Sequence, residues 1–126
     1  NSKLLVGILG TGFLGSIIGK NLMSLGYRVQ GYKNSKSKGK EIFPIFYKKK
    51  DLKKFIKTSN IIISILPATL NTFNFINCNF LKLMKKKSLL INVGRGTSVN
   101  EEDLINLADE RLYRAKEGGR DQFVFD

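Results

Sequence analysis

The stretch Leu4-Leu5-Val6-Gly7-Ile8-Leu9-Gly10-Thr11-Gly12-Phe13-Leu14-Gly15, continuing to Gly26, decides the fold. Lys3–Leu9 is an apolar run that ends in glycines, which reads as a buried strand. Phe13–Leu25 then places Leu14, Ile17, Ile18, Leu22 and Leu25 at helical spacing, with Gly26 where a C-terminal helix glycine belongs. A strand, a glycine turn and an amphipathic helix in that order begin a βα unit.

Working outward, the same alternation repeats. Tyr27–Tyr32 reads as a second strand, 34–40 as a polar loop and Ile42–Tyr47 as a weak third strand. Asp51 is expected to cap a short helix running to Thr58. Ile61–Leu66 reads as a buried strand stopped by Pro67, Asn79–Lys86 as a short helix and Ser88–Val93 as another buried strand. Asn100 or Glu101 opens a last helix. The strands are apolar without a period of two, the pattern of a parallel sheet covered on both faces. The expected fold is α/β and doubly wound, with about six mostly parallel strands and no internal repeat.

Gly10-Thr11-Gly12-Phe13-Leu14-Gly15 fits GxGxxG, and it lies between a strand and a helix, the context that gives this pattern meaning. Gly10 allows the tight turn, Gly12 leaves room for a pyrophosphate, and Gly15 lets helix and strand approach closely. The helix N-terminus would face the phosphates. A Rossmann-like dinucleotide-binding domain is therefore expected. An acidic residue at the end of the second strand would bind the ribose of NAD. Val29–Lys36 contains none; Lys33 stands there, with Ser35, Lys36 and Lys38 behind it. Cations and a hydroxyl suit a 2′-phosphate, so NADP(H) is expected over NAD(H).

Two further segments carry a family likeness. Leu66-Pro67-Ala68-Thr69 with Thr72 and Ile76-Asn77 resembles the LPxTxxTxxxIN stretch of D-isomer-specific 2-hydroxyacid dehydrogenases. Leu90-Ile91-Asn92-Val93-Gly94-Arg95-Gly96-Thr97 with Val99-Asn100-Glu101 resembles that family's LINxxRGxxVxE signature. The resemblance spans residues 3–106, and the basic end of strand two is most similar to the glyoxylate/hydroxypyruvate reductase branch. It implies that Leu66 and Pro67 line the adenosine side of a cleft, with Thr72 in the same cofactor-binding stretch. It places Val93, Gly94 and Arg95 near the nicotinamide, with Arg95 binding the 2-keto acid. A planar guanidinium suits a carboxylate.

Reducing a 2-keto acid needs a hydride donor, a cation and a proton donor tuned near neutral pH. In this family the proton donor is a histidine paired with a glutamate further along the chain, and the sequence contains no histidine. Cofactor binding without turnover is expected. No initiator Met precedes the first strand, which points to a piece of something longer; the parent is expected to be a cytoplasmic homodimer.

The family pattern stops at Ala108. Residues 108–125 instead resemble the last helix and strand of GGDEF (diguanylate cyclase) domains, without that family's signature loop. Residues 1–107 carry 18 Lys and Arg against five Asp and Glu, whereas 108–126 carry four against five, so the composition changes at the same point. The division expected is a dinucleotide-binding domain over 1–107 and a foreign-looking helix–strand tail over 108–126, as in a fragment or chimera. The tail would complete the last βαβ unit, with Gln122–Phe125 as its strand.

The whole chain has 126 residues and a net charge of +12, with one cysteine, Cys78. A lone cysteine forms no internal disulfide and fits a reducing compartment. No apolar run reaches membrane-spanning length, so no membrane partner is expected. No metal site is expected either. The lysines at 48–50, 53, 54 and 57 flank Leu52, Phe55 and Ile56, the spacing of a buried stripe with a wet face. The charge is therefore read as solvated surface, with no nucleic-acid partner. A non-catalytic nucleotide-binding module, a nucleic-acid binder and a cyclic-dinucleotide signalling fragment remain as alternatives.

Overall fold

In a computed structural model of the chain, residues 4–35 and 39–119 are described, with the side chains of 111–119 excepted. Five strands form one parallel sheet: β1 (Leu5–Leu9), β2 (Arg28–Tyr32), β3 (Ile45–Phe46), β4 (Ile61–Ser64) and β5 (Leu89–Asn92). Their order is β3-β2-β1-β4-β5, so the chain winds outward from β1 first one way and then the other. Three helices lie between them, α1 (Phe13–Ser24), α2 (Leu52–Thr58) and α3 (Cys78–Leu83), and α4 (Glu101–Gly119) follows β5. The expected sixth strand, Gln122–Phe125, lies outside the described residues.

The central strand shows why its sequence lacks a period of two. Val6 and Ile8 turn to one face, where Ile18 and Leu22 of α1 meet them together with Val29 and Phe43. Leu9 turns to the other face, into a core of Phe55, Ile56, Ile62, Ile76, Phe80 and Leu81. Gly7 lies under α2, where a Cβ would stand 2.3 Å from Ser59 Oγ and 2.8 Å from the Phe55 ring. Beside it, Gln30 donates to Thr58 Oγ1 and Ser59 Oγ, both at 2.9 Å, and so ties β2 to the end of α2.

The termini follow local chemistry. Gly26 has φ +93 just past α1, the left-handed turn that favours glycine. Asn77 Oδ1 accepts from Phe80 N at 3.0 Å and starts α3 at Cys78, slightly ahead of the predicted Asn79. Asn100 caps α4 by accepting from Asp103 N at 3.1 Å, while Asp103 Oδ2 accepts from Cys78 N and joins the starts of α3 and α4.

Three expectations are corrected. Asp51 makes no side-chain cap: it already has helical φ and ψ at the end of a 3₁₀ turn, Lys49–Asp51, whereas a capping residue is extended. The α1 stripe is only partly used. Gly15, Ile18, Gly19 and Leu22 face the sheet, while Leu14, Ile17 and Leu25 are exposed because the contact runs along the two glycines. Finally, β5 is not buried on both faces. Leu90 joins the core, but Leu89 and Ile91 are exposed because β5 is the sheet edge and α1 covers β1 and β2.

Phe55 is fully buried at the centre of the larger core and within ring contact of Tyr32 and Phe46. Phe55→Ala is expected to cost about 3–5 kcal/mol in urea unfolding, a large part of a small domain's stability. A loss below about 1 kcal/mol would show that the core is not organised around this ring.

Candidate cofactor-binding site

The carboxyl ends of β2, β1, β4 and β5 lie side by side along one sheet edge, and the segments singled out by sequence all leave from that edge. The order reverses between β1 and β4, where open α/β sheets form a crevice. Gly10 leaves β1 at φ +98 and donates its N–H to Tyr32 O at 2.8 Å. A Cβ on Gly15 would stand 2.3 Å from Gly10 O, so only glycine permits this approach of α1 to the strand end.

Gly12 differs from both. Its φ of −76 is open to other residues, and a Cβ there would meet no atom within 4 Å. Neither the backbone nor the packing of the protein explains glycine at this position. Space beside a helix N-terminus does, and α1 begins with no side-chain cap and no acid in its first turn. Its first N–H groups have no intrahelical partner and carry the positive end of the helix dipole. These residues fit a pyrophosphate. Phe13 and Leu14 are exposed, so what they offer at the loop is mainly backbone.

On the β2 side of the loop is a cavity of about 120 Å³, walled by Thr11, Ser16, Lys33, Lys40, Glu41 and Phe43 among others. Thr11 is buried, and its hydroxyl has no hydrogen-bond partner among the described residues. Lys33 is half-buried, with its backbone N–H bonded to Phe46 O at 3.0 Å, and Ser35 is exposed in the bend that follows. Lys36 and Lys38 lie outside the described residues. Tyr32, just before Lys33, has its hydroxyl pKa raised, first by burial and then by the negative charge of Asp51, and its ring packs on Phe55 and Phe75.

Lys40 and Glu41 were not anticipated as site residues, because they stand well beyond the end of β2 in sequence. The signal that would have found them is Phe43. Its ring fills the gap left by two glycines: a Cβ would stand 2.4 Å from it at Gly19 and 3.0 Å at Gly31. Burying that ring draws 40–43 back beside the glycine loop.

On the other side of the crevice, Leu66 is buried in the core and Pro67 is exposed. Gly94 closes on Leu66 so tightly that a Cβ would stand 2.6 Å from Leu66 O. Val93 and Arg95 flank Gly94 and are exposed. The Arg95 carbonyl accepts from Ser98 Oγ at 3.0 Å, holding a 3₁₀ turn, while its guanidinium makes no ion pair among the described residues. Thr72 stands apart from the other residues singled out. It is buried, donates its hydroxyl to Pro67 O and accepts from Thr69 N at 3.0 Å, so it shapes the 67–72 turn from within.

A parallel sheet in this order, with a glycine loop and an uncapped helix N-terminus at its switch point, defines a Rossmann-like dinucleotide-binding domain. Residues 2–116 match the family model for the D-isomer specific 2-hydroxyacid dehydrogenase, NAD binding domain, and the chain belongs to that family. It is 34% identical over 104 residues to glyoxylate/hydroxypyruvate reductase A of an Enterobacter species, an alignment covering 80% of this chain and 32% of the relative. Two solved structures share its fold. An NADPH-dependent glyoxylate/hydroxypyruvate reductase from Sinorhizobium meliloti gives a TM-score of 0.78 at 26% identity, covering 86% of this chain and 44% of that one. A D-isomer specific 2-hydroxyacid dehydrogenase from Xanthobacter autotrophicus, in complex with NADPH and MES, gives 0.77 at 30% identity, covering 94% and 45%. The chain spans about a third of the length of the curated relatives it matches. No helix among the described residues is long and apolar enough to cross a membrane.

The glycines separate binding from folding. Gly12→Val is expected to leave the melting temperature within about 2 °C while weakening nicotinamide dinucleotide binding at least about tenfold, because the added side chain fills only the open space. Gly15→Val is expected to lose about 1–3 kcal/mol of stability through the clash with Gly10. Equal melting losses in the two variants would contradict this division.

Proposed function

We propose that the chain holds a nicotinamide dinucleotide along the carboxyl edge of its sheet, prefers NADPH to NADH, and serves an oxidoreductase that reduces 2-keto acids of the glyoxylate/hydroxypyruvate type to 2-hydroxy acids. The observation that carries the cofactor preference is the half-buried Lys33 at the end of β2, which lines a cavity together with Thr11, whose hydroxyl has no partner among the described residues. A carboxylate at that point would accept from both ribose hydroxyls and repel a 2′-phosphate; a lysine reverses both effects. Ser35 and Lys36 follow it in the chain. The NADPH dependence printed for the S. meliloti relative agrees with this reading.

Arg95 is proposed to take the carboxylate of the keto acid, presented between two glycines just beyond β5, and Leu66, Pro67, Val93 and Gly94 to line the crevice between. The cofactor supplies the hydride when bound. The proton donor is expected from outside these residues, since none of the 126 is histidine. Residues 108–126 are proposed as structural completion of the last βα unit; α4 runs without a break from Glu101 to Gly119 across their start. The parent enzyme is proposed to be a cytoplasmic homodimer that does not act on nucleic acid, consistent with lysines spread over the exposed face of α2.

Calorimetric titration tests the preference. The chain is expected to bind NADPH at least about tenfold tighter than NADH, the scale of one hydrogen bond to a charged group, and Lys33→Asp to reverse the order. Equal affinity in the parent chain, or an unchanged ratio in the variant, overturns the reading. With glyoxylate and NADPH the chain is expected to show no turnover above the uncatalysed rate, and enzyme-like oxidation would disprove the need for an external proton donor.

A further inference from the structure

Thr11 is only 4% exposed, and its Oγ1 is enclosed with no hydrogen-bond partner among the described residues. Leaving a buried hydroxyl unsatisfied costs enough that such groups are rare without a reason. Its methyl group explains the residue's position but not its chemistry. Thr11 Cγ2 packs on Gly31, where a Cβ would stand 2.3 Å from it, and valine would make that contact equally well. The hydroxyl remains, on a residue that lines the 120 Å³ cavity together with Lys33, Lys40 and Glu41.

The charges of that wall decide what it can hold. Glu41 offsets one lysine, so Lys33 and Glu41 alone would leave the wall formally neutral, while Lys40 makes it positive. A ribose phosphate carries close to two negative charges at neutral pH. A neutral wall would gain little from it, whereas a wall whose two ammonium groups outweigh its one carboxylate can offer charge-assisted bonds. We propose that Thr11 and Lys40 form the distal half of the 2′-phosphate site, Thr11 donating from its hydroxyl and Lys40 from its ammonium, opposite Lys33. Phe43, anchored between Gly19 and Gly31, holds Lys40 beside the glycine loop. This inference rests on the NADPH preference proposed above and assigns it to residues outside the end of β2.

The test uses the 126-residue chain with adenosine 2′,5′-bisphosphate and 5′-AMP as probes, beside NADPH and NADH, all by calorimetry. Lys40→Met keeps the stem and removes the charge. It is expected to weaken the bisphosphate and NADPH about five- to tenfold and to leave 5′-AMP and NADH within about twofold. Thr11→Val keeps the Gly31 contact. It is expected to weaken the same two ligands about tenfold while the melting temperature of the free chain holds or rises, since an unsatisfied hydroxyl is removed. A fall in melting temperature with unchanged ligand ratios would assign Thr11 to the fold alone and overturn the proposal. An unchanged bisphosphate-to-AMP ratio in Lys40→Met would do the same while the parent chain still prefers NADPH. A parent chain that binds the bisphosphate no tighter than 5′-AMP removes the NADPH reading itself, and this inference with it.

Discussion

The close approach of α1 to the end of β1 is the constraint on which the rest of this structure depends. Gly15 sits so near the Gly10 carbonyl that a Cβ would overlap it. That contact sets where the helix begins, and the helix start sets where its unpartnered N–H groups point. Two further approaches extend the same geometry: Gly31 admits the Thr11 methyl, and Gly19 admits the Phe43 ring. One wall of the cofactor crevice is thus assembled from places where a side chain is missing. Close backbone packing and a concave, polar binding edge arise together, because a missing Cβ both shortens the distance between elements and leaves backbone groups accessible.

The two faces of the sheet are covered unequally. On one, α2 and α3 close over Phe55, Ile62, Phe80 and Leu81, with Leu107 of α4 joining them. On the other, α1 covers β1 and β2, and the outward residues of β5 stand exposed. Binding groups collect at the strand ends because buried strands leave no polar atom free along their length, whereas the loops at their carboxyl ends release N–H groups and side chains toward a common edge.

The charge of +12 acts on two scales. Most lysines are exposed, as along α2, where Lys54 also lies 5.9 Å over the Phe46 ring. Such charges are screened within about 8–10 Å in physiological salt. Lys33, half-buried, and Lys40, exposed, are set apart by lining one small cavity together with Thr11 and Glu41. There, separation decides the interaction, and counting charges along the chain does not reveal it.

Reading the sequence alone was enough for the alternation of strand and helix, the parallel sheet, the glycine loop with its strand–helix context, and the presence of helices beginning close to Asn79 and at Asn100 or Glu101. These are local: periodicity, turn chemistry and capping act within a few residues. The stretches from Leu66 to Asn77 and from Leu90 to Glu101 were legible in another way, through their resemblance to motifs of a known family. Local pattern failed where distant segments decide the outcome. Asp51 has the chemistry of a cap, but a preceding 3₁₀ turn gave it the wrong backbone angles. Leu14, Ile17 and Leu89 are apolar at the expected spacing, yet nothing described covers them, since burial depends on what packs opposite. Sequence by itself determined which elements form and where the glycine loop lies, because both follow from neighbouring residues. Only the tertiary structure decided that Lys40 and Glu41 join Thr11 and Lys33, because a ring at Phe43 packed onto two glycines far from it in the chain brings them there.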